Sequence, residues 1–162
     1  MKHAKDNCTA QNIFISTHGL QCGNCLAIDW TPTLTELRQA REESINALVK
    51  ECGIFFAFSD KQFDEGKTSL KEGDKYVSLG AGSFVAKSNA DKYVSGIEKI
   101  METFANAINE NNLREEYVLY ELNNHEASYT GNIDDTLGAL IGNYTREEVQ
   151  AVYNKMTKRL TL

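Results

Sequence analysis

Apolar and polar positions alternate along the chain with two different periods, and the switches between them mark out a series of short elements. Asn12-Ile13-Phe14-Ile15-Ser16-Thr17 and Leu26-Ala27-Ile28-Asp29-Trp30 are rich in β-branched and aromatic residues. The Gly- and Asn-containing stretch between them suits a loop, so residues 1–31 are predicted to form an antiparallel hairpin. Thr31-Pro32 then opens a helix over 33–52. Thr33 and Glu36 match a capping box, Leu34, Leu37, Ile45, Leu48 and Cys52 recur at helical spacing, and Gly53 fits the position just past the end.

Ile54-Phe55-Phe56-Ala57-Phe58 is apolar throughout and reads most simply as a buried strand, with a helical segment left open by periodicity alone. Ser59 and Gln62 repeat the capping pattern and start a short helix that Gly73 ends. Strands at 75–79 and 83–86 flank Gly80-Ala81-Gly82, a tight turn that lacks the Lys of a phosphate-binding loop and the third glycine of a dinucleotide fingerprint. Ser88 and Asp91 cap a long helix to about Asn111, whose stripe is Tyr93, Val94, Ile97, Ile100, Met101, Phe104 and Ile108. Tyr117-Val118-Leu119-Tyr120-Glu121-Leu122 reads as a strand that delivers Asn123-Asn124-His125-Glu126 at its end. A polar turn, a short helix over 133–141 and a terminal helix capped by Thr145 and Glu148 follow, the last with Val149, Val152, Tyr153 and Met156 on one face. This order predicts an α+β class: one compact domain over 1–162, a small antiparallel sheet packed by four to five helices. No linker or repeat divides the chain.

Composition narrows the classes of function. With 162 residues, 41% of them hydrophobic and 25% charged, the chain has the make-up of an ordinary globular domain. Its 17 basic against 23 acidic residues argue against general nucleic-acid binding, and Lys155, Lys158 and Arg159 are too few for it. No run approaches the roughly 20 apolar residues of a membrane span, and the polar N-terminal stretch is not a signal peptide. A cytoplasmic location is the expectation. The charge is unevenly placed: residues 115–148 carry eight acidic side chains against the single basic Arg146, while residues 1–114 are nearly balanced. Such a face can dock on a basic groove built for nucleic acid, which makes Glu115, Glu116, Glu121, Asn124, His125, Glu126, Asp134 and Asp135 candidate partner-binding residues. A solvated face is the structural alternative.

Four cysteines, Cys8, Cys22, Cys25 and Cys52, lie in the first third. Cys22 and Cys25 have the spacing of half a zinc site and His18 lies four residues before, but no second paired knuckle completes it, so plain thiols in a turn and a zinc site both stay open. No other cofactor is expected. His125 beside Glu126 offers a general base or a metal ligand, without the second histidine of a metallopeptidase helix. A small metal- or thiol-dependent enzyme using His125 and Glu126, or Cys22 and Cys25, is therefore the alternative to a binding protein.

Phe55-Phe56-Ala57-Phe58-Ser59 with Gln62-Phe63-Asp64-Glu65-Gly66, and Tyr120-Glu121-Leu122-Asn123-Asn124-His125-Glu126 with Tyr129-Thr130-Gly131, resemble a family of small uncharacterised proteins of phages and mobile elements, over residues 53–158. The opening hairpin, Trp30 and the first helix are similar to the start of ArdA-type antirestriction proteins. The resemblance implies an accessory protein of a bacterial host's cytoplasm. It would bind and inhibit a host defence nuclease or its nucleoprotein complex, CRISPR effectors included, without catalytic residues of its own.

Overall fold

The computed structural model describes residues 13–16, 19–22, 31–67 and 73–160. Among them run β1 (Ile13–Ser16), β2 (Gly19–Cys22), α1 (Leu34–Cys52), β3 (Phe55–Phe56), α2 (Asp60–Lys67), β4 (Tyr76–Gly80), β5 (Ser83–Ala86) and α3 (Lys87–Glu110). They continue with α4 (Arg114–Asn124), α5 (Ala127–Thr130), α6 (Asp134–Ala139) and α7 (Arg146–Leu160). The class is α+β, as expected, with seven helices among the described residues rather than four or five.

Local chemistry sets most boundaries. At the start of α1 the Thr33 N–H donates to Glu36 Oε2 (2.8 Å) and the Glu36 N–H to Thr33 Oγ1 (3.3 Å), so the capping box satisfies two donors that the helix itself cannot. Gly53, at φ +67°, ends the helix: its N–H reaches the Lys50 carbonyl and that of Ile54 the Val49 carbonyl, the paired bonds of a Schellman turn. The same two bonds close α3, with Asn112 at φ +56° in the glycine position and Leu113 bonded to Ile108. Thr145 and Glu148 exchange capping bonds at α7 (2.9 and 3.2 Å).

The described residues group into two compact units, one formed by the chain up to Arg41 and from Met101 onward, the other by Glu42–Ile100. In the second, a three-stranded antiparallel sheet has the order β3-β5-β4. β4 and β5 meet in a two-residue turn whose Ala81 and Gly82 both have positive φ, the primed geometry that matches strand twist. One face carries an aromatic cluster: Phe55 stands edge-on to Tyr76 at 5.2 Å, and Phe63 of α2 lies 4.7 Å from Phe84. Gly66 lies against this cluster so closely that a Cβ there would stand 2.1 Å from the Phe55 ring. Gly96 likewise lets α3 approach Leu48 of α1.

In the first unit, α1 contributes Leu34 and Leu37 to a core shared with Phe104, Ile108, Tyr117, Val118, Leu122 and Val149. Tyr117 is fully buried, edge-on to Phe104 at 5.4 Å, and its hydroxyl accepts the Ile141 N–H. Arg38 stacks 3.6 Å over the Tyr120 ring and donates to its hydroxyl.

Four local expectations are corrected. Residues 117–122 are helix, within α4, because the buried positions Tyr117, Val118, Glu121 and Leu122 follow the helical period and a strand would have alternated. β1 pairs with β2, Ile13 opposite Cys22 and Ser16 opposite Gly19, so the hairpin closes inside the stretch expected as its loop; the expected strand at 26–30 lies outside the described residues. The 54–58 run is a two-residue edge strand in which Phe55 turns into the aromatic cluster while Phe56 and Phe58 are exposed. Ser88 does not cap α3, which continues directly from β5; its hydroxyl donates instead to Asp74 (2.7 Å).

Candidate functional site

The C-terminal turn of α4 brings together Glu121, Asn124 and His125, with Glu126 just beyond. Since these residues end a helix and not a strand, their spacing is that of one helical turn. Glu121 is buried, 7% exposed, and its Oε2 accepts from Asn124 Nδ2 at 3.3 Å. The same oxygen lies 3.6 Å from His125 Nε2, a contact that is an ion pair when the imidazole is protonated. The partner of His125 is therefore Glu121, one turn back, and not the adjacent Glu126. A partly exposed imidazole backed by a buried carboxylate can hold or pass a proton.

Glu126 has φ +50° and no side-chain capping bond. Its carbonyl accepts the N–H groups of Tyr129 and Thr130, so the chain turns at once into α5. That turn projects Tyr129, 91% exposed, into solvent. It is the most exposed of the large hydrophobic side chains among the described residues, ahead of Phe58 at 77%.

The acidic block resolves into a helical pattern. Glu115 and Glu116 stand in the first turn of α4, Asp134 and Asp135 in that of α6, and Glu147 and Glu148 in that of α7. Carboxylates there face the positive ends of helix dipoles, which contributes about 0.3–1 kcal/mol each. Three also have cation partners: Glu115 with Lys155 (2.7 Å), Asp134 with Arg146, and Glu148 with Arg114 (3.0 Å). Lys155 lies 40 residues from its partner, a pairing that no local charge tally registers. The Thr145 N–H and Arg114 hold the Glu148 carboxyl below its ordinary range, while burial pushes Tyr144, under the Arg114 guanidinium, up to about 12. Among the described residues Glu116, Glu126, Asp135 and Glu147 are in no ion pair. Of these, Glu126 alone lies outside a helix's first turn.

The other candidates fall elsewhere. Cys22 lies in β2, whereas His18 and Cys25 are outside the described residues, as is Cys8. Cys52 is a buried free thiol whose pKa is raised by burial, in keeping with a packing role. Among the described residues no three His, Cys, Asp or Glu side chains are placed to hold a metal, and no helix is long and apolar enough to cross a membrane.

Residues 37–159 match the model of a family described as of unknown function (DUF7659). That span includes the 53–158 stretch and begins earlier, within α1. No curated protein and no solved structure matches the chain.

Proposed function

The chain belongs to this family of unknown function (DUF7659), whose description lends no activity, and on that premise we propose that it is an interaction protein of a phage or mobile element. It docks on the basic groove of a host defence nuclease, of CRISPR or restriction type, and inhibits it without chemistry of its own. One observation supports this above the rest: Glu126, between α4 and α5, combines a left-handed backbone with a carboxylate in no ion pair among the described residues, three residues before the bare ring of Tyr129. Positive φ disfavours a side chain there. Local strain of this kind clusters where a surface is used. Asp135 extends the same negative segment.

The test is cleavage of nucleic acid by a panel of CRISPR and restriction nucleases with increasing amounts of the protein. Inhibition of at least one, weakened roughly tenfold or more by Tyr129→Ala and falling as salt screens the charges, is expected. Absence of inhibition across the panel, with no nucleoprotein recovered at low salt, refutes the reading. The Glu121–His125 contact favours a second one, a small enzyme with His125 as its base. A hydrolytic activity lost in His125→Ala at unchanged melting temperature would put it first.

A further inference from the structure

A cleft of about 410 Å³ runs beside α3 in the first unit, within the size range of small-molecule sites. One wall is a single face of α3 from Met101 to Asn109, about 12 Å long at helical rise. The other is the segment 141–143, and Arg114 lines the cleft as well. Its width depends on two small residues. Gly142, at φ +111°, faces Ala105, and a Cβ on the glycine would stand 3.4 Å from the alanine's.

Arg114 and Asn109 are tied together by a hydrogen bond, and the guanidinium is held on three sides. Arg114 Nη1 donates to Asn109 Oδ1 (2.8 Å), and Nη2 to the Asn143 carbonyl (2.7 Å) and Glu148 (3.0 Å), while the guanidinium stacks 4.1 Å over Tyr144. With Oδ1 of Asn109 accepting from the guanidinium, its amide N–H groups are the donors this lining residue has left. Asn106, exposed in the middle of the wall, offers a donor and an acceptor together. Glu102 adds an acceptor at the far end, beside the thioether of Met101, which packs well on ring faces. Glu148 already meets the charge of Arg114, leaving Glu102, in no ion pair among the described residues, as the remaining charge of the lining. A neutral ligand suits this wall and a phosphorylated one does not.

We propose that the cleft binds a nucleoside, its base lying flat on Met101 and Ile141 with its donor and acceptor edge on Asn106 and Asn109. The site is separate from the docking surface at Tyr129 and stands without it. The experiment is a titration of the full chain, by calorimetry and amide NMR, with adenosine, guanosine, cytidine and uridine and with their 5′-monophosphates. Saturable binding of at least one nucleoside is expected. Its monophosphate should bind more weakly, and Asn106→Leu should weaken it roughly tenfold or more at unchanged melting temperature. Glu102→Gln should narrow the gap between nucleoside and monophosphate. The proposal is overturned if none of the four nucleosides saturates up to millimolar concentration, if the monophosphate binds more tightly, or if Asn106→Leu leaves the affinity unchanged.

Discussion

Ala81, Asn112 and Glu126 are the non-glycine residues with positive φ among those described, and two of them have plain structural reasons. Ala81 sits in the primed turn of β4 and β5, and Asn112 stands at a helix end where asparagine is the usual substitute for glycine. Glu126 has neither excuse, since glycine would hold the same backbone without a Cβ. Glu126→Gly is therefore expected to raise stability by about 0.5–1 kcal/mol in thermal or urea unfolding while weakening inhibition of the nuclease target. A loss of stability would remove strain as the support for the docking reading. Two glycines make the opposite contrast. Gly66→Ala places a Cβ on a Phe55 ring that Tyr76 and Phe84 already hold, and should cost about 1–3 kcal/mol. Gly138→Ala, in α6 with nothing within 4 Å, should gain about 0.5–1 kcal/mol by restricting the unfolded chain.

At the level of elements, α1 and α7 were legible in the sequence because cap and apolar stripe agreed, and α3 was legible from its stripe, although Ser88 does not cap it. α4 was not, and Glu121 explains why. The buried positions 117, 118, 121 and 122 form a helical stripe, but a carboxylate fills one of them, so the remaining run of Tyr, Val and Leu reads as strand. The helical turn itself provides for that carboxylate: Glu121 can be buried because Asn124 and His125, one turn on, supply its partners. The same error gave His125 the wrong partner, since residues 123–126 follow a helix and His125 pairs backward with Glu121. The caps, by contrast, allow a prediction with its sign fixed. The Glu148 carboxyl is held below the ordinary value of 4.5 by the Thr145 N–H and Arg114, so its ionised form is favoured in the native state. Its contribution is complete above that pH and is lost as pH falls through the native value. Melting temperatures measured from pH 7 to pH 3 should show wild type ahead of Glu148→Gln at neutral pH and the gap closing below about 4.5. A gap that stays constant with pH would mean that the cap does not depend on the charge.

Over the whole molecule the net charge of -6 is unremarkable, and its concentration in residues 115–148 was the sequence's clearest pointer to function. The fold divides that block into carboxylates that serve the structure and carboxylates that do not. Glu115 and Asp134 face cations and helix dipoles together, whereas Glu126 has no cation partner among the described residues and makes no side-chain capping bond. This division separates two accounts of docking: attraction by overall charge, or by the particular face around Tyr129. E115Q/D134N and E126Q/D135N each remove two negative charges, so their net charges are equal. If overall charge governs, both weaken inhibition alike and flatten its salt dependence alike. The face account requires E126Q/D135N to weaken inhibition roughly tenfold or more and to flatten its salt dependence, while E115Q/D134N keeps nearly wild-type potency. The latter double variant should instead lose stability, up to about 1 kcal/mol per ion pair, with the loss shrinking at high salt. Equal inhibition curves for the two variants would return the acidic block to the role of a solvated surface.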